Sequence, residues 1–241
     1  MRVLIAGFPA GPWGTNCYVV ATGTGSECVV VDPGKDAASG VADVVREHKL
    51  KPVAVLVTHG HIDHMWCVAP VAGTYDATAW IHPNDRHLLA NPMAGMSRET
   101  SQMLLGGNYT WAEPDDVREV SDGQTIEIAG MQFFVDHTPG HTPGSVTFRA
   151  DYPDVAEISQ VMFAGDLLFE GSIGRTDLPG GDHPTMLRSL RNKVLTLSDD
   201  VVVLPGHGNQ TSIGRERATN PFLQDLLDDQ RFPTNPITRG L

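Results

Sequence analysis

The chain has 241 residues, 41% of them hydrophobic, enough to bury a sizeable core, and one domain spanning residues 1–241 is expected. A formal charge of -12 with no basic run or arginine stripe would repel a polyanionic backbone, which argues against nucleic acid as a partner. The opening "MRVLIAGFPAGPWGTN" holds about five consecutive apolar positions, too few for a signal-peptide core or a membrane span. No membrane contact is therefore expected, and a cytoplasmic setting is the simplest reading. Three cysteines, Cys17, Cys28 and Cys67, form no CxxC pair and give neither a disulfide framework nor a zinc-finger pattern.

In chain order, strand-like runs appear at "RVLIAGF", "CYVVAT" and "CVVVDPG", followed by the helix-like "DAASGVADVVREHK", whose apolar residues fall on one face. The strand "VAVLVTHG" leads into a helix read over "IDHMWCVAPVAG". "ATAWIHP" then precedes the short helix "NDRHLLA". Residues 91–116 are polar, Met-rich and broken by glycine, and read as a loop with one short helix that could wall a pocket. Strands follow at "TIEIAG", "MQFFVDHTPG", "SVTFRA" and "VMFAGD", then the helix "HPTMLRSLRNKVLTL" with Pro184 near its first turn, and the strand "VVVLPGHG". The residues after Arg231 are expected to be loosely held. Strands alternating with helices indicate an α/β layered domain.

Apolar runs end repeatedly in tight turns that carry metal-capable residues. "VAVLV" precedes His59, His61, Asp63 and His64; "MQFFV" precedes His141; "VMFA" precedes Asp166; "VVVL" precedes His207. Ligands gather outside the carboxyl ends of strands in open α/β sheets, so these turns can converge. Imidazole nitrogen with carboxylate oxygen suits zinc, iron or manganese, and the absence of CxxC disfavours a structural thiolate site. Gly60 lets His59 and His61 face one ion, while Asp63 and His64 face the other way, toward a second. Asp166, after a glycine at a strand exit, is placed to bridge two ions with its two oxygens.

The remaining histidines read differently. His48 sits among charges late in a helix, His82 and His87 flank a helix start, and His183 begins another, which suits surface or capping roles. His137, four residues before His141, is a candidate to brace a ligand from behind. Cys67, one turn beyond His64, reads as a small buried hydrophobe. No GxSxG elbow, Walker loop, GxGxxG or HExxH competes with the metal cluster.

With "THGHIDH", "HTPGHTPGS", "FAGDLLF" and "LPGHG" in this order, the sequence resembles the metallo-β-lactamase superfamily, and most closely its glyoxalase II-like branch, from Asn16 to Leu223. The resemblance implies a four-layer αβ/βα sandwich with a binuclear site at one edge of its two sheets. It implies that His59, His61 and His141 hold one ion, that Asp63, His64 and His207 hold the other, and that Asp166 bridges them. It makes Asp32 in "VVVDPG" a support for the ligand loop. Full-length glyoxalase II enzymes carry a C-terminal helical extension that binds glutathione, whereas here 34 residues follow His207. The shorter relatives are the better match, and the thiol carrier stays open.

The expected cofactor is two divalent ions, zinc first, with iron or manganese as alternatives. Such a pair can share a water and lower its pKa toward 7. The expected reaction is hydrolysis of a small 2-hydroxyacyl thioester, with Asp63 and Asp166 as the catalytic carboxylates. Arg175 in "GRTD" is a candidate for a substrate carboxylate, with a structural salt bridge as the alternative. The second reading is a mononuclear iron persulfide dioxygenase of the same fold, using residues that match His59, His141 and Asp166. A lactonase would use the same ions. β-Lactam hydrolysis fits the pattern less well.

Overall fold

The computed structural model describes residues 3–97, 101–102 and 111–231. The expectation for the residues after Arg231, and part of that for the 91–116 loop, lie outside the described residues.

Alternation within the strands sets the architecture. In β2 (Thr15–Ala21), Cys17, Val19 and Ala21 join one buried cluster while Tyr18 and Val20 join another, so this strand is covered on both faces. It belongs to a six-stranded sheet with β1 (Leu4–Ala10), β3 (Glu27–Val31), β4 (Lys51–Leu56), β5 (Thr78–Ile81) and β6 (Val117–Glu119), in the order β1-β2-β3-β4-β5-β6. Its first two junctions are antiparallel and the remaining three parallel.

The second six-stranded sheet comprises β7 (Thr125–Ile128), β8 (Met131–His137), β9 (Val146–Asp151), β10 (Gln160–Gly165), β13 (Val202–Pro205) and β14 (Thr211–Ser212), ordered β14-β13-β10-β9-β8-β7. A two-stranded hairpin, β11 (Leu168–Phe169) with β12 (Ser172–Ile173), follows β10.

Three buried clusters separate four layers. Helices α1 (Ala37–His48), α3 (Val68–Tyr75) and α4 (Pro83–Ala90) place Val41, Val68, Val71 and Leu89 against the outer face of the first sheet. Phe133, Phe148 and Phe163 of the second sheet meet Val20, Val29 and Leu56 of the first. Each such ring contributes about 1.5–3 kcal/mol by leaving water. On the far side, α5 (His183–Ser189), a π-helical turn over Leu190–Val194, α6 (Ile213–Thr219) and α7 (Pro221–Arg231) supply Met186, Leu190, Val194, Ile213 and Leu223. The result is the four-layer αβ/βα sandwich. No helix among the described residues is long and apolar enough to cross a membrane.

One expectation is corrected. The helix read over "IDHMWCVAPVAG" is two helices, α2 (Ile62–Met65) and α3. The Cys67 amide donates to the Pro33 carbonyl at 2.8 Å, outside the helical ladder. With α3 beginning at Val68, Pro70 falls in its first turn, where a missing N–H leaves no bond unmade. The break lets the four residues of α2 turn independently and carry Asp63 and His64.

Candidate metal centre

Strands β3, β4, β5, β8, β10 and β13 end at the same edge of the sandwich, because β8 runs parallel to β10 through their shared antiparallel neighbour β9. From β4 the chain passes Thr58 to His59, Gly60 and His61, and then enters α2. The loop after β8 delivers His141, the turn after β10 delivers Asp166, and the turn after β13 delivers His207. At Gly165 the backbone has φ 48°, and a Cβ there would collide with Thr58, so only glycine can aim Asp166 inward.

These side chains meet. His61 Nδ1 lies 2.8 Å from His141 Nε2, which lies 3.2 Å from His59 Nε2. His64 Nε2 lies 3.3 Å from His207 Nε2, and His207 Nε2 lies 3.1 Å from Asp63 Oδ2. Asp166 stands between the two sets, with Oδ1 3.3 Å from His64 Nε2 and Oδ2 3.5 Å from His141 Nε2. Three overlapping groups could each hold an ion: His59–His61–His141, His59–His64–Asp166 and Asp63–His64–His207, with their donor atoms within 4.8 Å of one another. His61 Nε2 and Asp166 Oδ1 are buried without a hydrogen-bond partner. A ring of nitrogen and carboxylate donors aimed at one another, with Asp166 Oδ1 buried among them, fits divalent cations such as zinc or iron.

Protonation follows the same geometry. Burial, reinforced by the neighbouring His64, His141 and His61 rings, pushes His59 well below the ordinary imidazole range, and burial with His141 takes His61 down to about 3. Both rings are thus neutral, the form that ligates. At His64 burial opposes the charge, but the Asp166 and Asp63 carboxylates outweigh it and raise the ring's pKa. At His207 burial again opposes, and the bond its ring makes to Asp63 and the charge of Asp166 raise it. Burial would push Asp63 and Asp166 up, yet His64, with His207 beside it, holds both below the usual carboxylate range. A cation held among these carboxylates would compete with protons for the His64 and His207 nitrogens.

The rings are held from behind. Asp32, itself buried, accepts from the Thr58 amide at 2.8 Å and from Thr58 Oγ1 at 2.6 Å, and lies 2.9 Å from His64 Nδ1. Thr58 Oγ1 also lies 3.1 Å from His59 Nδ1. The backbone carbonyl of Arg175 accepts from His141 Nδ1 at 2.7 Å. Arg175 is among the residues that line the cavity, and its guanidinium is bound at 2.7 Å through both Nε and one terminal nitrogen to Asp177, so an incoming carboxylate has to compete with that pair.

His137 is not brought to the ligands. Its Nε2 reaches the Pro143 carbonyl at 2.9 Å and its ring stacks on His82 at 4.0 Å. His82 caps α4 by accepting from the Asn84 amide, and His48, His87 and His183 lie at helix ends away from the donors.

Two contributors escaped the sequence reading. Asn16 donates to the Pro205 and Gly208 carbonyls at 3.0 and 2.9 Å and so brackets the His207 turn. Asp85, 0% exposed, accepts from the Gly60 amide, Thr142 Oγ1 and the Gly144 amide. No local signal marks either residue, since an asparagine opening a strand and an aspartate in the first turn of a helix are ordinary.

Above the donors opens a cavity of about 490 Å³, with Trp13, Ile62, Met96, Phe169, Ile173 and Leu178 among its walls. Apolar walls over a polar, metal-capable floor form a site for a small molecule held at one reactive group.

Fold and site together define a metal-dependent hydrolase scaffold with its donor cluster at the edge of paired sheets. The chain belongs to the metallo-beta-lactamase superfamily, whose pattern matches residues 10–207. It is 32% identical over 216 residues to the hydroxyacylglutathione hydrolase GloC of Haemophilus influenzae, spanning 89% of this chain and 95% of GloC, which places it beside the short glyoxalase II-like forms. Among solved structures it is similar to the B3 metallo-beta-lactamase BLEG-1, with TM-score 0.78 and 39% identity over 91% of this chain and 99% of that one. It is also similar to TTHA1623 in a di-iron-bound form, with TM-score 0.71 and 35% identity over 90% of this chain and 100% of that one.

Proposed function

We propose that the protein is a binuclear metal-dependent thioesterase, expected in the cytoplasm, that hydrolyses a small 2-hydroxyacyl conjugate of a low-molecular-weight thiol. The observation that carries this reading is the pair of donor groups, His59–His61–His141 and Asp63–His64–His207, with Asp166 between them. The likeness to GloC over nearly its whole length supports the substrate class. When bound, a pair of divalent ions, zinc or iron, supplies Lewis acidity and lowers the pKa of water toward neutrality.

In this reading the protein's residues do the rest. Asp166 and Asp63 accept hydrogen bonds from the attacking water and orient it toward the thioester carbonyl. The apolar walls shed water around the acyl carbon and strengthen each electrostatic contact. Attack yields a tetrahedral intermediate, the C–S bond breaks, and the leaving thiolate takes up one of the water's two protons, giving the free thiol and the carboxylic acid. No side-chain nucleophile is required.

The full second donor set, including His207 and Asp63, favours this reading over the mononuclear dioxygenase, which needs only one group. The likeness to BLEG-1 gives a second reading, opening of a β-lactam ring by the same residues.

The test is metal analysis of the purified protein together with three assays: a lactoyl thioester, a chromogenic β-lactam, and oxygen uptake on a persulfide. Two ions per chain with thioester cleavage is the expected result. One iron with oxygen consumption overturns it, and β-lactam turnover exceeding thioester turnover moves the assignment to the second reading.

A further inference from the structure

We infer that Asp85 is a positioning residue that locks the two loops carrying His59, His61 and His141 into a single first-ion site. The inference rests on the metal reading above.

Asp85 lies in the first turn of α4, downstream of β5 in the first sheet, whereas the His141 loop leaves β8 in the second sheet. Its Oδ2 accepts from the Gly60 amide at 2.9 Å and from Thr142 Oγ1 at 2.6 Å, and its Oδ1 accepts from the Gly144 amide at 2.7 Å. Gly60 separates His59 from His61, and Thr142 follows His141 directly. One carboxylate therefore ties the backbones beside all three first-group donors across the gap between sheets.

The approach is close on both sides. A Cβ on Gly144 would lie 2.5 Å from Asp85 Oδ1, and one on Gly60 would lie 3.0 Å from the Asp85 carbonyl oxygen. Thr142 is further fixed by Ser145, whose Oγ accepts from the Thr142 amide at 3.1 Å. No ion pair reaches Asp85 among the described residues, so donors to its two oxygens are what compensates the buried charge.

The second group is held by other residues. Asp32 contacts His64 Nδ1 directly and reaches His59 only through Thr58, and Asn16 brackets the turn of His207. Losing the Asp85 carboxylate should weaken the first position and leave the second unchanged. A ligand-supporting partner of this kind is typically worth 10- to 100-fold in metal affinity.

The experiment uses Asp85→Asn, which preserves size but leaves one acceptor oxygen and points an NH₂ at a donor. Cobalt(II) and zinc are the probes, read by elemental analysis, competitive chelation and cobalt absorption, with circular dichroism as the fold control. The expected result is a 10- to 100-fold weaker affinity for one of two ions, with the other unchanged. At a free-metal concentration where Asp85→Asn retains one ion, adding His61→Ala should remove no further ion, while adding His207→Ala should remove the one that remains.

Thr142→Val, which deletes one of the three donors, should move the same affinity in the same direction by a smaller factor, and it decides the matter if Asp85→Asn does not fold. Unchanged affinity for both ions, or equal weakening of both in a folded variant, overturns the inference while leaving the metal reading intact. A wild-type chain that binds neither probe overturns both.

Discussion

Asp166 stands between the two donor groups, with Oδ1 3.3 Å from His64 Nε2 and Oδ2 3.5 Å from His141 Nε2 and 3.8 Å from His207 Nε2. Removing it deletes a donor common to both groups. Asp166→Ala is therefore expected to lower turnover by orders of magnitude and to reduce metal content as well. Retained metal with full activity would remove Asp166 from the assigned role. His48→Ala is the matched control: it lies on the α1 end beside Glu47 and should alter neither measurement. A second residue-scale prediction concerns the thiols. Burial raises Cys28 to about 12 and pushes Cys17 well above the ordinary thiol range, and Cys67 is buried too. A disulfide reagent should titrate none of them until the chain unfolds, and fast reaction of any would show that the layer covering them opens readily. The same scale explains what a reader of the sequence can see. His59, His61, Asp63 and His64 declare themselves because they fall within six positions. Asp85 does not, because the groups it binds lie 25, 57 and 59 residues away and are backbone amides or a threonine.

Elements were legible where periodicity was long and obscure where tertiary bonds overrode it. Helix α1 follows its one-sided apolar spacing, but the break between α2 and α3 depends on the Pro33 carbonyl, which no local rule places beside Cys67. The hairpin β11–β12 and helices α6 and α7 were not foreseen, since two-residue strands carry no pattern. That hairpin matters, because Phe169, Ser172 and Ile173 wall the cavity. It is braced from α6 by the buried Glu216, which accepts from the Gly171 amide at 2.8 Å, Thr211 Oγ1 at 2.6 Å and Asn220 Nδ2 at 2.9 Å. Asn220 in turn donates to the Ser172 carbonyl at 3.0 Å. Glu216→Ala strands several buried donors at about 1–3 kcal/mol each, so a loss on the order of 3 kcal/mol is expected in chemical denaturation. Freed from its brace, the hairpin should also raise KM more than it lowers kcat. Unchanged stability would mean that these bonds exchange readily with water.

At the scale of the whole molecule, the donors come from both sheets. His59, His61, Asp63 and His64 follow β4 in the first, and His141, Asp166 and His207 follow β8, β10 and β13 in the second. Convergence of strand exits could be anticipated from the sequence, but the pairing of strands into two sheets could not be read from patterning, because strands such as β2 and β10 are apolar on both faces. What holds the sheets together away from the edge is the phenylalanine-rich layer between them. At the edge itself imidazoles lie within 2.8–3.3 Å of one another with carboxylates beside them, an arrangement that a cation would link across the interface. Ions that bind only the folded chain stabilise it by about 2.7 kcal/mol when present at 100 times their dissociation constant. For a chain of this size each kcal/mol shifts Tm by about 2–4 °C. Calorimetry should therefore place the zinc-loaded protein about 5–10 °C above the chelated one, and a variant lacking Asp166 should lose most of that difference. Equal midpoints with and without metal would mean that the two sheets close equally well without an ion between them, and that the donor cluster is not the staple its position implies.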